Sequence, residues 1–275
     1  MGLFDGKKGV ILGVANNRSI AWAAAEFIMA EGGQCGFSHL PDRPDDERQR
    51  NRRRVAQLTD DQPLCKFLAP MDVCKDADIQ GVMDKAAEVF GKIDFVLHSI
   101  AFATLDDLKK DTIHTSRDGF KLAMEISAYS LIAVAKHAAP IMNDGGSIAT
   151  LTYYGGERCV PGYNVMGICK AALDCSMKYL SHDLGPRGIR VNAVSAGPLK
   201  TLASSAVGAD DMAPLYASIA PLTRCVTHEE VARSVGYLLS PMSNGITGEI
   251  LHVDGGFNIM GTPGRMLDKI KAAGG

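Results

Sequence analysis

Seven short apolar runs recur along this chain, at residues 7–14, 34–39, 63–69, 93–101, 146–152, 188–194 and 248–256. Each of the first six is followed by a stretch with helix signals. Such alternation is satisfied by a parallel sheet with crossover helices on both faces, and right-handed crossovers leave few topologies. No internal repeat, low-complexity linker or shift in composition divides the run. We therefore expect a single α/β domain over residues 1–260, doubly wound around a mainly parallel seven-stranded sheet, with 261–275 as a loosely held tail. At 275 residues and 46% hydrophobic, the chain can bury a large core without staples.

Composition removes several classes of function. Net charge is −2, which makes no case for nucleic acid or an anionic membrane as partner. The seven cysteines (35, 65, 74, 159, 169, 175, 225) are scattered and lack CxxC spacing. They read as reduced thiols, with neither a disulfide framework nor a metal site. No apolar run approaches the roughly 20 residues that span a bilayer, and the N-terminus has no secretory apolar region. A cytoplasmic location is expected.

The ends of the expected strands collect the candidate ligand contacts. Gly13 closes the first strand where a backbone can approach a ligand closely, and Ser19-Ile20 opens the helix that follows. A helix start there offers free N–H groups and a positive dipole end to a phosphate. This is not the GxGxxG fingerprint, and an ordinary N-cap Ser is the plain alternative. The second strand ends in His39-Leu40-Pro41 where dinucleotide folds often carry an acid for the adenine ribose. Residues 45–58, with Arg48, Arg50, Arg52, Arg53 and Arg54, read as a solvated helix or a local anion-docking patch. Asp72-Val73 lies past the third strand, and Ser99-Ile100 and Ala103 lie at the tip of the fourth. One long helix is expected over 117–142.

The stretch 153–170 carries the chemistry. Pro161-Gly162 marks a loop, and Tyr163 opens a helix that reaches Lys170 two turns later. A spacing of seven puts both on one helix face, about 10 Å apart along the axis. The ammonium can hold a cofactor hydroxyl and bias the phenol, which can donate to an oxygen that becomes negative. A half-buried Tyr and a solvated Lys sharing a face would look the same. After the sixth strand, residues 199–211 are small and weakly patterned, the composition of a mobile cover that orders on a ligand. Thr227-His-Glu-Glu230 is a capping box.

With these residues in place, the chain resembles the short-chain dehydrogenase/reductase superfamily, with its Rossmann-type fold. Asn192-Ala-Val-Ser-Ala-Gly-Pro198 and Val253-Asp-Gly-Gly256 carry that resemblance. The superfamily's common signature is Tyr-x3-Lys, yet Gly167 stands at the Lys position. Tyr-x6-Lys with Tyr153 ten residues upstream is the pattern of the divergent branch, the bacterial enoyl-[acyl-carrier-protein] reductases. Gly13-x5-Ser19-Ile20-Ala21, His98-Ser99-Ile100 and Gly197-Pro-Leu-Lys-Thr201-Leu-Ala203 are similar to it as well.

The resemblance implies NADH as cofactor and an enoyl chain on acyl carrier protein as substrate. It implies that Tyr163 donates to the thioester oxygen, that Lys170 holds the nicotinamide ribose, and that Tyr153 borders the acyl pocket and assists proton delivery, these three being the catalytic residues. Gly13, Ser19 and Ile20 would meet the pyrophosphate side, and Leu40, Asp72 and Val73 the adenosine. Ile100 with Leu199, Lys200, Thr201, Leu202 and Ala203 would flank the nicotinamide, and Ala103 would touch substrate. Leu40 and Ala101 depart from the usual Gln and Gly. A homotetramer is implied, which suits helices at 117–142 and 162–184 with more apolar positions than one sheet face needs. Two other readings stay open: a 3-oxoacyl thioester or carbonyl reductase of the same superfamily, and an NAD(P)-sensing module without turnover.

Overall fold

The computed structural model describes residues 2–199, 209–264 and 266–267, and for 209–212 only the backbone. All seven strands form: β1 (Lys8–Leu12), β2 (Gln34–His39), β3 (Cys65–Pro70), β4 (Ile93–His98), β5 (Met142–Thr152), β6 (Arg190–Ala196) and β7 (Ile250–Val253). They make one sheet in the order β3-β2-β1-β4-β5-β6-β7, and every pairing is parallel. The order reverses between β1 and β4, so their C-terminal ends, Leu12 opposite His98, flank the switch point where open α/β sheets bind ligands.

Nine helices accompany this sheet among the described residues: α1 (Ile20–Ala30), α2 (Arg50–Thr59), α3 (Asp76–Phe90), α4 (Leu105–Lys109), α5 (Arg117–Met124), α6 (Ser130–Ala138), α7 (Asn164–Leu184), α8 (Ala209–Ile219) and α9 (His228–Leu239). Two apolar cores result. One sets Ala24 and Ile28 of α1 and Val231 and Val235 of α9 against Ile11, Phe37 and Phe95. The other sets Val82 and Met83 of α3, Leu131 and Val134 of α6 and Leu173 and Met177 of α7 against Val10, Val96 and Val191. Each large side chain buried this way contributes on the order of 1.5–3 kcal/mol.

Three elements depart from the expected pattern. The helix expected over 117–142 is α5, a π-helical turn (Glu125–Tyr129), α6 and a 3-10 turn (Ala139–Ile141). Ser130 Oγ donates to Ile126 O (2.6 Å) at the π turn, and Pro140, which lacks an N–H, stands in the final turn. β5 starts early, at Met142, and residues 143–146 loop out opposite Asp94. The helix expected from residue 45 starts at Arg50, because Asp42 reaches over to accept from Asn51 N (2.6 Å) and Arg52 N (3.1 Å). That carboxylate supplies the missing cap of α2. The segment 200–208, most of the expected cover, lies outside the described residues, as do the tail residues 268–275.

Candidate active site

Tyr163 is the N-cap residue of α7 and so stands one position before the helix proper. Its half-buried ring meets Tyr153 edge-on, with centroids 4.6 Å apart and planes at 65°. Lys170 is not solvated: it is 5% exposed, and its Nζ donates to Leu151 O at 2.7 Å. One of three ammonium donors is thus used, and others remain for a ligand at the end of β5.

Gly167 explains why the lysine sits seven residues on. The Gly155-Gly156 turn after β5 lies flat against α7, and a Cβ at residue 167 would stand 2.8 Å from Gly155 O. A Cβ at residue 155 would in turn meet the Tyr163 ring at 2.5 Å. No side chain fits at 167, so the first place on this face for an ammonium is a turn further along.

Burial dominates the electrostatics. It raises the Tyr163 hydroxyl far above a free phenol, with Tyr153, Cys169 and Asp174 adding to the shift, so the group stays a neutral donor. Tyr153 moves the same way, through burial and then Asp254. Burial lowers Lys170 to about 8, although Asp174 and Cys169 oppose it. Asp174, one turn after Lys170, is raised to about 6, again by burial. Neither of its buried carboxylate oxygens, nor the Thr152 hydroxyl at the end of β5, makes a hydrogen bond of full geometry, though Thr152 lies near enough to pull the carboxyl partly back down.

The residues expected to meet a dinucleotide and substrate lie at the C-terminal ends of β1, β2, β3, β4 and β6. Gly13 has φ +95°, and a Cβ there would fall 1.9 Å from Ser99 O. The neighbouring strand therefore demands this glycine by itself. Ser19 holds the N-cap position of α1 but makes no capping bond. Its Oγ turns back to accept from Ala15 N (3.0 Å) and Asn16 N (3.2 Å), closing the loop and leaving the helix start open. An open helix start with positive dipole beside the switch point fits a pyrophosphate. Ile20 opens α1, Leu40 is 61% exposed, and Asp72 stands half-buried past β3 with Val73 buried behind it. Ile100 is half-buried beside Gly13, Ala103 is buried, and Leu199 is buried after β6. Lys200, Thr201, Leu202 and Ala203 lie outside the described residues.

Sequence reasoning missed the residues that hold this arrangement still. His98, fully buried, bridges Thr150 Oγ1 (3.0 Å) and Ser130 Oγ (2.8 Å). Ser130 spends its proton on Ile126 O, so His98 Nε2–H donates to it and Nδ1 accepts from Thr150. Burial first, then Lys170, lowers His98 to about 3 and keeps it neutral. Ser127 accepts from Phe102 N and donates to Phe102 O, both at 2.9 Å, which pins the chain just before Ala103. A buried polar residue on an expected strand or helix was the only available signal.

The wholly parallel sheet, the open helix start after β1 and a Tyr–Lys pair past β5 define a nicotinamide-dependent reductase of the short-chain class. A family model described as "Enoyl-(Acyl carrier protein) reductase" matches residues 13–258. An NADH-dependent enoyl-[acyl-carrier-protein] reductase of Rhizobium meliloti is 49% identical, over 94% of this chain and 93% of that protein. One from Nostoc is 46% identical over 93% and 98%. The Bacillus cereus enoyl-acyl carrier protein reductase, solved with NADP+ and an indole naphthyridinone, superposes with TM-score 0.90 at 44% identity, covering 95% of this chain and all of that one. The Anaplasma phagocytophilum reductase, solved with NAD, gives 0.88 at 42%, over 95% and 97%. The chain belongs to the enoyl-[acyl-carrier-protein] reductases.

Proposed function

We propose that this chain reduces trans-2-enoyl thioesters on acyl carrier protein to saturated acyl thioesters with NADH, the closing reduction of type II fatty acid elongation. The observation that carries this reading is the half-buried Tyr163 and the buried Lys170 set across Gly167. Bound NADH would supply the hydride that reaches the β-carbon, and a proton delivered to the α-carbon by Tyr163 or a water chain would complete the saturated thioester. Tyr163 donates to the thioester oxygen as negative charge builds there, and its raised pKa keeps it protonated for the task. Lys170, with donors to spare beyond Leu151 O, holds the nicotinamide ribose and so fixes the reacting distance. The Tyr153 ring lies edge-on to Tyr163 and borders the acyl pocket with Ala103. Gly13, Ser19 and Ile20 take the pyrophosphate, Leu40, Asp72 and Val73 the adenosine, and Ile100 and 199–203 the nicotinamide.

The test is NADH oxidation with crotonyl- against acetoacetyl-thioester. Crotonyl turnover is expected; reduction of acetoacetyl alone overturns the reading. Tyr163→Phe should keep NADH affinity and lose roughly 10²–10³ in kcat, the magnitude for one donor to a developing oxyanion. An unchanged kcat removes Tyr163 from its role.

The same reading extends to cofactor choice and assembly. NADH is preferred over NADPH, which remains usable, since apolar Leu40 follows the end of β2 and Arg43 is the one nearby candidate to clamp a phosphate there. The acyl carrier protein is the macromolecular partner. The enzyme works as a cytoplasmic homotetramer; no helix among the described residues is long and apolar enough to cross a membrane.

A further inference from the structure

The residue after the proposed proton donor has a backbone that its side chain would not normally choose. Asn164 has φ +38°, and it is one of three described non-glycine residues with positive φ. Gly162, on the other side of Tyr163, has φ +83°. Tyr163 therefore sits on a corner between two left-handed residues, while its own φ and ψ of −92° and −19° are right-handed. Asparagine tolerates the left-handed region better than most residues, but tolerance alone does not select it.

The side chain shows what does. Asn164 Nδ2 donates to Leu108 O (2.9 Å) and to Lys110 O (2.5 Å), 56 and 54 residues earlier in the chain. Those are carbonyls at the C-terminal end of α4, which lack intrahelical partners. The other end of α4 is tied separately. Thr104 Oγ1 donates to Asp107 Oδ2 (2.7 Å) and accepts from Asp107 N (3.3 Å), and Asp107 Oδ1 accepts from Ser116 N (2.7 Å). The apolar side of the same segment, Ala103 and Leu108, packs on Val165, Met166 and Cys169 of α7, with Tyr163 against that cluster. A five-residue helix is too short to hold its place unaided. One side chain thus joins the segment carrying Ala103 to the corner carrying Tyr163.

We propose that Asn164 is a positioning residue that couples the aim of the Tyr163 hydroxyl to the α4 wall of the acyl pocket. The inference rests on the assignment of Tyr163 as donor to the thioester oxygen. Left-handed backbone at 164 sets where the Tyr163 ring leaves the chain, and the two amide hydrogen bonds hold that corner against the wall. Displacing a reacting group by about 1 Å costs on the order of 10²-fold in rate, so a loosened corner is read in turnover before cofactor binding.

Asn164→Gly keeps the left-handed backbone and removes both donations. Its kcat with a crotonyl thioester is expected to fall roughly 10- to 100-fold, with NADH Kd within about twofold of the parent. Asn164→His tolerates the same backbone and restores one ring N–H, so it should recover part of the loss. The deciding measurement is a double-mutant cycle with Tyr163→Phe, with kcat referred to NADH-binding sites so that folded enzyme is counted. If Asn164 acts through Tyr163, Asn164→Gly changes kcat little in the Tyr163→Phe background. An equal loss in both backgrounds, or wild-type kcat for Asn164→Gly, overturns the proposal. Should Asn164→Gly fail to fold, the cycle is run with Asn164→His. Full turnover by Tyr163→Phe alone would instead bring down the assignment of the donor.

Discussion

Asp174 is the residue most at odds with its surroundings: a carboxylate 5% exposed, one turn from Lys170, with no hydrogen-bond partner for either oxygen. Burial disfavours its charge and raises it to about 6, above an ordinary carboxyl near 4. The folded chain therefore binds this proton more tightly than the unfolded chain, and stability falls as pH rises from about 4 to about 6, then levels. A shift of about two units corresponds to roughly 2–3 kcal/mol. Asp174→Asn should remove that slope. By denaturant unfolding, the variant is expected to gain roughly 2–3 kcal/mol on wild type between pH 4 and pH 7.5. A difference between the two proteins that does not change with pH would show that Asp174 keeps a normal pKa.

Helices and strands with a strong pattern were legible in the sequence; those shaped by distant polar groups were not. α3 and α9 lie where periodicity and capping signals place them, and the Thr227–Glu230 capping box forms. β2 likewise spans the expected 34–39. The break at Glu125–Tyr129 was hidden because no glycine or proline marks the turn. What opens it is Ser130 back-bonding to Ile126 O, while Ser127 is committed to Phe102, across 25 residues of chain. The pairing of Tyr163 with Lys170 was readable from spacing, but Lys170's burial and the close approach at Gly167 needed the turn at Gly155. Ser127→Ala tests this element. It leaves Phe102 N and O without their partner and should cost about 1–3 kcal/mol. The Phe102 amide should also exchange faster with solvent, and protection equal to wild type would show that the hydroxyl does not hold the loop.

At the scale of the whole molecule, the outer faces of the paired helices are too apolar for water alone. Tyr129 in the π turn and Ile132 on α6 are 49% and 38% exposed, and Ile168 and Tyr179 on α7 are 40% and 70% exposed. Residues 168, 175 and 179 follow one stripe of α7. The proposed tetramer covers these faces, so light scattering at micromolar concentration should give four chains. The double change Ile132→Asp with Tyr179→Asp should give fewer, while a wild-type monomer would refute the assembly. The strand order has a further consequence, for the chain as it leaves the ribosome. β2 pairs with β1, β3 with β2, β4 with β1, and β5, β6 and β7 each with the strand made just before. Every new strand therefore meets an edge already synthesised, and the sheet widens first on one side and then on the other without waiting for later sequence. The helices do not share this order. α1, made first, finishes its packing only when Phe27 meets the bare backbone of Gly236 on α9. A nascent chain halted before residue 228 shows that side of α1 uncovered, and it is there that a chaperone would find it.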